Sequence, residues 1–152
     1  MIPHEMNIAL QYVAYVHKEG RRHLIEFPDA PGCQTFAERE ADVYATAKEA
    51  IEGWIEAHLV EGLELPHVHR PPKTNERCIP VTISPKLVLA LQFRSMRNER
   101  GWSQAETAKR VGVSQQQIAK LEDPDANPTI GTIMKVAEAF DMRLLVTFKK
   151  IA

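Results

Sequence analysis

Apolar positions in the first half of the chain recur at every second residue, then at every third or fourth. Leu10 to His17 is rich in β-branched and aromatic residues and reads as a strand. Lys18-Glu19-Gly20-Arg21 is a turn in which Gly20 can take positive φ, and His23 to Phe27 is the returning strand of a hairpin. Pro28-Asp29-Ala30-Pro31-Gly32 is a rigid loop, followed by a short third strand from Cys33 to Phe36. From Asp42 the period changes. Val43, Ala47, Ala50, Ile51, Trp54 and His58 fall at steps of three and four, which predicts a helix with one apolar face, capped at Gly62. A connector over residues 64–76 carries Pro66, Pro71 and Pro72, and Cys78 to Ile83 reads as a fourth strand. The predicted order is βββαβ, a small sheet with one covering helix.

The second half is helical. Leu87, Leu91 and Met96 mark the apolar face of a long helix that starts at Pro85 and ends before Gly101. Ser103 and Glu106 have the spacing of a capping box, as do Ser114 and Gln117. Between the two boxes, Arg110-Val111-Gly112-Val113 makes a short turn, with small Ala108 where the two helices approach. Ile118 and Leu121 supply the inner face of the second of them. Two short capped helices joined this way predict a helix-turn-helix. A fourth helix ends near Phe140. From Met142 to Lys149 the period returns to two, with Leu144, Val146 and Phe148 on one face and Arg143, Leu145 and Thr147 on the other. This predicts a C-terminal strand. The expected class is α+β: a sheet domain over residues 1–84, then an all-α helix-turn-helix domain with a terminal strand over residues 85–152.

Charge divides along the same line. Residues 1–76 hold 7 Lys and Arg against 13 Asp and Glu, a net of −6; residues 77–152 hold 12 against 7, a net of +5. A basic half suits phosphates, and an acidic half suits a basic protein or a solvated face. There is no apolar run of membrane-spanning length and no secretory leader pattern at Met1 to Leu10, so no membrane is expected and the cytoplasm is the expected location. Cys33 and Cys78 stand far apart, with no metal-site spacing, and are expected to be buried thiols. His67 and His69 lack the companion ligands a metal needs and are read as solvated linker. No metal and no cofactor are expected.

The chemistry concentrates at the second capping box. Gln115 and Gln116 stand in the exposed first turn of the helix that would enter a major groove. A glutamine amide can donate and accept together, pairing bidentately with adenine N6 and N7. Lys109 and Arg110 can reach phosphates. Gln104, at the start of the preceding helix, can complete a phosphate clamp with backbone N–H groups. Ser114, Gln117 and Lys120 complete the candidate DNA-contacting set.

Two resemblances follow from these residues. Ile25 to Thr35 resembles the F-P-D-x-P-G-C-x-T signature of HicB-type antitoxins, and Ala41 to Leu59 is similar to that family's single helix; together the match covers residues 10–84. It implies a degenerate RNase H-like sheet that neutralises a HicA-type toxin, a small mRNA-cleaving protein with a double-stranded-RNA-binding-like fold. Phe27, Pro28, Asp29, Pro31 and Gly32 are then the candidate toxin-binding residues. Residues 91–148 resemble the XRE or Cro/repressor family through Leu91 to Gly101, Ser103-Gln104, Ala108, Gly112-Val113-Ser114, Ile118, Leu121-Glu122, Pro128-Thr129 and Ala137. The sequence departs from that family at Asp123, Pro124 and Asp125, where a glycine and basic residues often follow; two carboxylates there repel phosphate. The DNA partner implied is a double-stranded operator.

The reading is an antitoxin that masks its toxin and represses its own operon, without catalytic residues. A nucleic-acid hydrolase is the rival from another class. It needs convergent carboxylates, and only Glu26 and Asp29 lie on or beside the predicted strands, while Glu49, Glu52 and Glu56 form a polar stripe on the helix. A ligand-responsive regulator is a third possibility. A homodimer, or a higher even oligomer, is expected to pair through the terminal strand at Leu144, Val146 and Phe148. That pairing satisfies the strand's open edge and presents two recognition helices to a palindromic site.

Overall fold

A computed structural model describes residues 11–65, 77–148 and 150 of the chain. Residue Leu10 of the expected first strand, the connector from Pro66 with His67 and His69, and Lys149 lie outside the described residues.

Four strands form one antiparallel sheet in the order β3-β2-β1-β4: β1 Gln11–Glu19, β2 Arg22–Glu26, β3 Gln34–Ala37 and β4 Arg77–Thr82. Gly20, at φ 62°, turns the β1–β2 hairpin. The register Val16↔Ile25 and Ala14↔Ile79 puts Ala14, Val16, Ile25 and Val81 on the buried side. Helix α1, Val43–Glu61, covers that side with Val43, Ala47, Ile51, Ile55 and Leu59, one residue per turn. Its last turn closes on Gly62 at φ 71°, whose N–H donates to the Leu59 carbonyl at 3.2 Å. The sheet edge is tied to the start of the helix by Arg77, whose guanidinium grips the Glu40 carboxylate. This contact holds Glu40 below the ordinary carboxylate range.

Cys33 is buried, and burial pushes its thiol up to about 11. Cys78 is exposed, which corrects the expectation of two buried thiols: the next residue of β4, Ile79, opposite buried Ala14, carries the inward position.

The remaining helices are α2 Pro85–Glu99, α3 Gln104–Val111, α4 Gln115–Leu121 and α5 Ile130–Ala139. Helix α2 belongs to two cores. Leu87, Val88, Ala90 and Leu91 complete the core between sheet and α1, while Phe93 and Met96 pack with Ala108, Val111, Ile118, Leu121, Val136 and Phe140. Polar contacts fasten α1 to α2 at both ends. Glu52 Oε1 accepts from Ser84 N–H at 2.7 Å and Ser84 Oγ–H at 2.5 Å, and Arg94 Nη1 donates to the His58 carbonyl at 3.3 Å. The two halves therefore join through a packed helix.

Met142–Phe148 forms no strand, which corrects the expected terminal strand. A strand exists only where its N–H and C=O groups find a ladder, and no described strand of this chain pairs with it. Leu144 is half-buried, but Val146 and Phe148 are 64% and 95% exposed.

Candidate nucleic-acid interface and partner surface

The recognition helix is fixed by its own caps. At α3, Ser103 Oγ accepts from Glu106 N–H at 3.0 Å, but the reciprocal half of the expected box is missing. The Glu106 carboxylate instead takes Arg110 at 3.0 Å, one turn further on. Gly112, at φ 78°, ends α3, and the Gly112 and Val113 N–H groups close on the Ala108 carbonyl at 2.9 and 3.0 Å. At α4 the box is complete: Ser114 Oγ accepts from Gln117 N–H at 3.2 Å, and Gln117 Oε1 accepts from Ser114 N–H at 2.9 Å. Ile118 and Leu121 then seal α4 to the core at 2% and 5% exposure.

These bonds sort the candidate residues. Ser114 and Gln117 are engaged in holding the first turn of α4. Gln115 and Gln116, between them, are exposed. Lys109 and Lys120 are exposed as well. Arg110 pairs with Glu106 and lies 4.3 Å over the Trp102 ring. That pair is exposed, so releasing the guanidinium to a phosphate costs only about 0.3–0.5 kcal/mol on the pair's side. Gln104 does not stand open as the expected phosphate clamp. Its Nε2 donates to Glu122 Oε2 at 3.2 Å, because that carboxylate lies half-buried beside it.

Glu122 is the hub that residue-type reasoning missed. Arg97 of α2 grips it through Nε and Nη2, the latter at 2.9 Å from Oε2, and donates from Nη1 to the Trp102 carbonyl at 3.0 Å. The hydrogen bond to Glu122 raises the Arg97 pKa against the lowering effect of burial. The network ties the end of the recognition helix to the shared helix α2 and to α3. The only sequence signal was the Leu121-Glu122 pair noted above; nothing pointed to Arg97 as its partner. In the following turn Asp123 Oδ1 accepts from Asp125 N–H at 2.9 Å, a local turn that leaves both carboxylates at the surface.

In the sheet unit, the Phe27–Cys33 loop is closed by three backbone bonds: Phe27 N–H to Cys33 O, Ala30 N–H to Phe27 O and Cys33 N–H to Ala30 O, at 3.2, 3.0 and 2.9 Å. Gly32 supplies the positive φ of 84°. Trp54 of α1 donates from Nε1 to the Pro31 carbonyl at 3.2 Å, with its ring tilted 40° against that of His58, and so holds the loop over the helix. Phe27 is 3% exposed, so it is removed from the candidate contacts: its ring builds the core. Pro28 and Asp29 are half-buried, and Pro31 and Gly32 are exposed. The burial of Tyr12, and then the nearby Asp29 carboxylate, raise the Tyr12 pKa above its ordinary value. Among the described residues no helix is long and apolar enough to cross a membrane.

A helix-turn-helix whose second helix presents two free amides, joined through a shared helix to an acidic sheet unit, defines a two-unit protein of the nucleic-acid-binding class. Comparison with known proteins agrees. A family model described as a HicB-like antitoxin of bacterial toxin-antitoxin systems matches residues 12–76, and a helix-turn-helix model matches residues 93–146. Over 64 residues the chain is 30% identical to Antitoxin HipB of Escherichia coli (strain K12), covering 42% of this chain and 73% of that protein. It is also 30% identical over 54 residues to the HTH-type transcriptional regulator SutR of the same strain, covering 36% of this chain but only 30% of that protein. Solved structures that resemble it include the HicA3 and HicB3 toxin-antitoxin complex, at 27% identity and TM-score 0.43 over 49% of this chain and 99% of that one. Another is the HipA-HipB-O2-O3 complex, at 30% identity and TM-score 0.39 over 45% and 97%. The chain belongs to the helix-turn-helix antitoxins, with a HicB-like antitoxin unit in front of the DNA-binding one.

Proposed function

We propose that this chain masks a small basic toxin of the HicA type with its sheet unit and represses its own operon by reading a double-stranded operator with α4. The observation that carries the DNA half is the pair Gln115 and Gln116, left open between the two residues that cap their helix. A bidentate amide pair of this kind discriminates a base by about 1–3 kcal/mol. Lys109, Lys120 and Arg110 supply the phosphate contacts that position it. The toxin half rests on the HicB-like unit, its net charge of −6 over residues 1–76, and the exposed Pro31-Gly32 corner beside Pro28 and Asp29.

The unit boundary lies within α2 in this reading, near residue 92, because Leu87 to Leu91 complete the first core and Phe93 opens the second. No catalytic step is assigned. Of the acidic side chains of α1, Glu52 holds Ser84, and Glu49 and Glu56 stand exposed. The working form is a homodimer joined through Leu144, Val146 and Phe148, of which Val146 and Phe148 are left uncovered in one chain.

The direct test is purification of the full chain co-expressed with the neighbouring reading frame. A small basic protein that co-elutes in fixed ratio, and whose RNA cleavage stops on binding, is the expected result. A chain that elutes alone, or that itself cleaves nucleic acid with added metal, contradicts the proposal.

A further inference from the structure

The two edges of the sheet differ. At the β4 edge Pro80 has no N–H to offer, and both backbone groups of Thr82 are taken: its N–H donates to Tyr44 Oη at 3.4 Å, and its carbonyl accepts from Lys48 Nζ at 3.1 Å. The β3 edge has no such cover. The bond from Phe27 N–H to the Cys33 carbonyl, continued along the register Ile25↔Thr35 and His23↔Ala37, turns the backbone groups of Cys33, Thr35 and Ala37 toward β2. The N–H and C=O groups of Gln34 and Phe36 therefore face away from the sheet, and no described residue bonds to them. Both residues are exposed, and the Phe36 ring, beside half-buried Leu24, lies 4.6 Å under the Arg22 guanidinium. This open edge runs on from the Pro31-Gly32 corner. Residues 26–42, which hold loop, edge strand and the turn into α1, carry one basic residue and five acidic ones, a net of −4.

We propose that the toxin adds an extended strand to the β3 edge, its main chain bonding to Gln34 and Phe36. An exposed edge takes a partner strand through main-chain hydrogen bonds, with side chains on either side setting which strand fits. Here the Phe36 ring offers apolar cover on one side of the added strand. The charge selects the occupant. A second copy of this chain would set its own −4 segment against this one, whereas a basic partner is attracted and its encounter accelerated. The inference rests on the antitoxin reading and gives the toxin surface at the Pro31 corner its mode of contact.

The test reads amide hydrogen exchange, residue by residue, in the full chain alone and bound to the toxin with which it co-purifies. In the chain alone, the Gln34 and Phe36 amides should exchange fast while those of Thr35 and Ala37, turned to β2, stay protected. Toxin binding should slow exchange at Gln34 and Phe36 by about tenfold or more. The variant Phe36→Pro gives a second readout, since it deletes an outward N–H and leaves the chain's own ladder intact. With unchanged melting, its toxin affinity should fall about tenfold, one donor being lost and one toxin carbonyl stranded. If that variant melts early, the exchange measurement decides alone. Unchanged exchange at both amides in the complex, or unchanged affinity of a folded Phe36→Pro chain, overturns the proposal while leaving the antitoxin reading intact. Protection that appears in the chain alone as its concentration rises also overturns it, because a second copy then holds the edge. If the parent chain captures no basic partner, the antitoxin reading itself falls, and this inference with it.

Discussion

Phe27, Ala30 and Cys33 of the sheet unit point inward, at 3%, 0% and 5% exposure, whereas Gln115 and Gln116 of the DNA-binding unit point to solvent. The two motifs that first give the units away therefore do different things. The Phe27–Cys33 signature is a turn that closes on itself and anchors to Trp54. Its exposed part is confined to the Pro31-Gly32 corner, beside half-buried Pro28 and Asp29. In the other unit Ser114 and Gln117 are the architecture, and the residues between them are free to touch something else. A signature thus marks where the backbone must be fixed, and contact residues are those which that fixing leaves over.

The comparison breaks most strongly at the helix the units share. Leu87→Ala empties a site in the sheet core from a helix whose other end serves the DNA-binding core. It is expected to cost about 2–5 kcal/mol. Urea unfolding followed by circular dichroism should show one transition shifted as a whole; two separate transitions would mean that α2 does not couple the cores. Arg97→Ala comes next. It strands the Glu122 carboxylate in a half-buried site and is expected to cost about 3 kcal/mol, seen as a lower Tm. Adding Glu122→Gln should recover part of the loss, because the stranded charge, rather than the missing side chain, carries most of it.

The helices, caps and strands were legible because period and capping chemistry are local. Ser114 and Gln117 lie three residues apart, and Val43 to Leu59 repeats once per turn. What stayed hidden was long-range. Arg97 and Glu122 are 25 residues apart, Glu52 and Ser84 32, and neither pair carries a spacing rule. The Gln104 contact stayed hidden for the same reason: its residue type fits a phosphate, and the carboxylate it meets in this structure lies 18 residues further on. The terminal segment from Met142 shows the opposite failure. Its period of two is real, yet a strand also needs a partner, and the single chain supplies none.

That segment gives a further test, since it leaves Val146 and Phe148 of the DNA-binding unit exposed. In the proposed dimer, where the segment pairs with its copy, Val146→Pro removes a ladder donor. Sedimentation at low micromolar concentration should show a dimer for the parent chain and a monomer for the variant, and a variant that stays dimeric would move the interface into the sheet unit. The smallest effect is expected at Cys33. Its folded-state pKa, about 11, lies above that of an unfolded thiol, so this group's contribution to stability is complete at neutral pH. That contribution is lost as pH rises through the alkaline range toward 11. A thiol reagent at pH 8 should modify Cys78 alone in the folded chain and both cysteines in denaturant. Rapid modification of Cys33 in the folded chain would show that the signature loop opens.

The central claim is the proposed division of labour: α4 reads the operator, and the sheet unit holds the toxin. The double variant Gln115→Ala with Gln116→Ala tests it in one strain carrying the toxin and an operator-driven reporter. Specific operator affinity should fall by about 1–3 kcal/mol per lost bidentate contact, with little change on random DNA. The reporter should be derepressed while the cells still survive toxin expression. Loss of both repression and survival in a folded variant, or equal losses on operator and random DNA, would contradict the account.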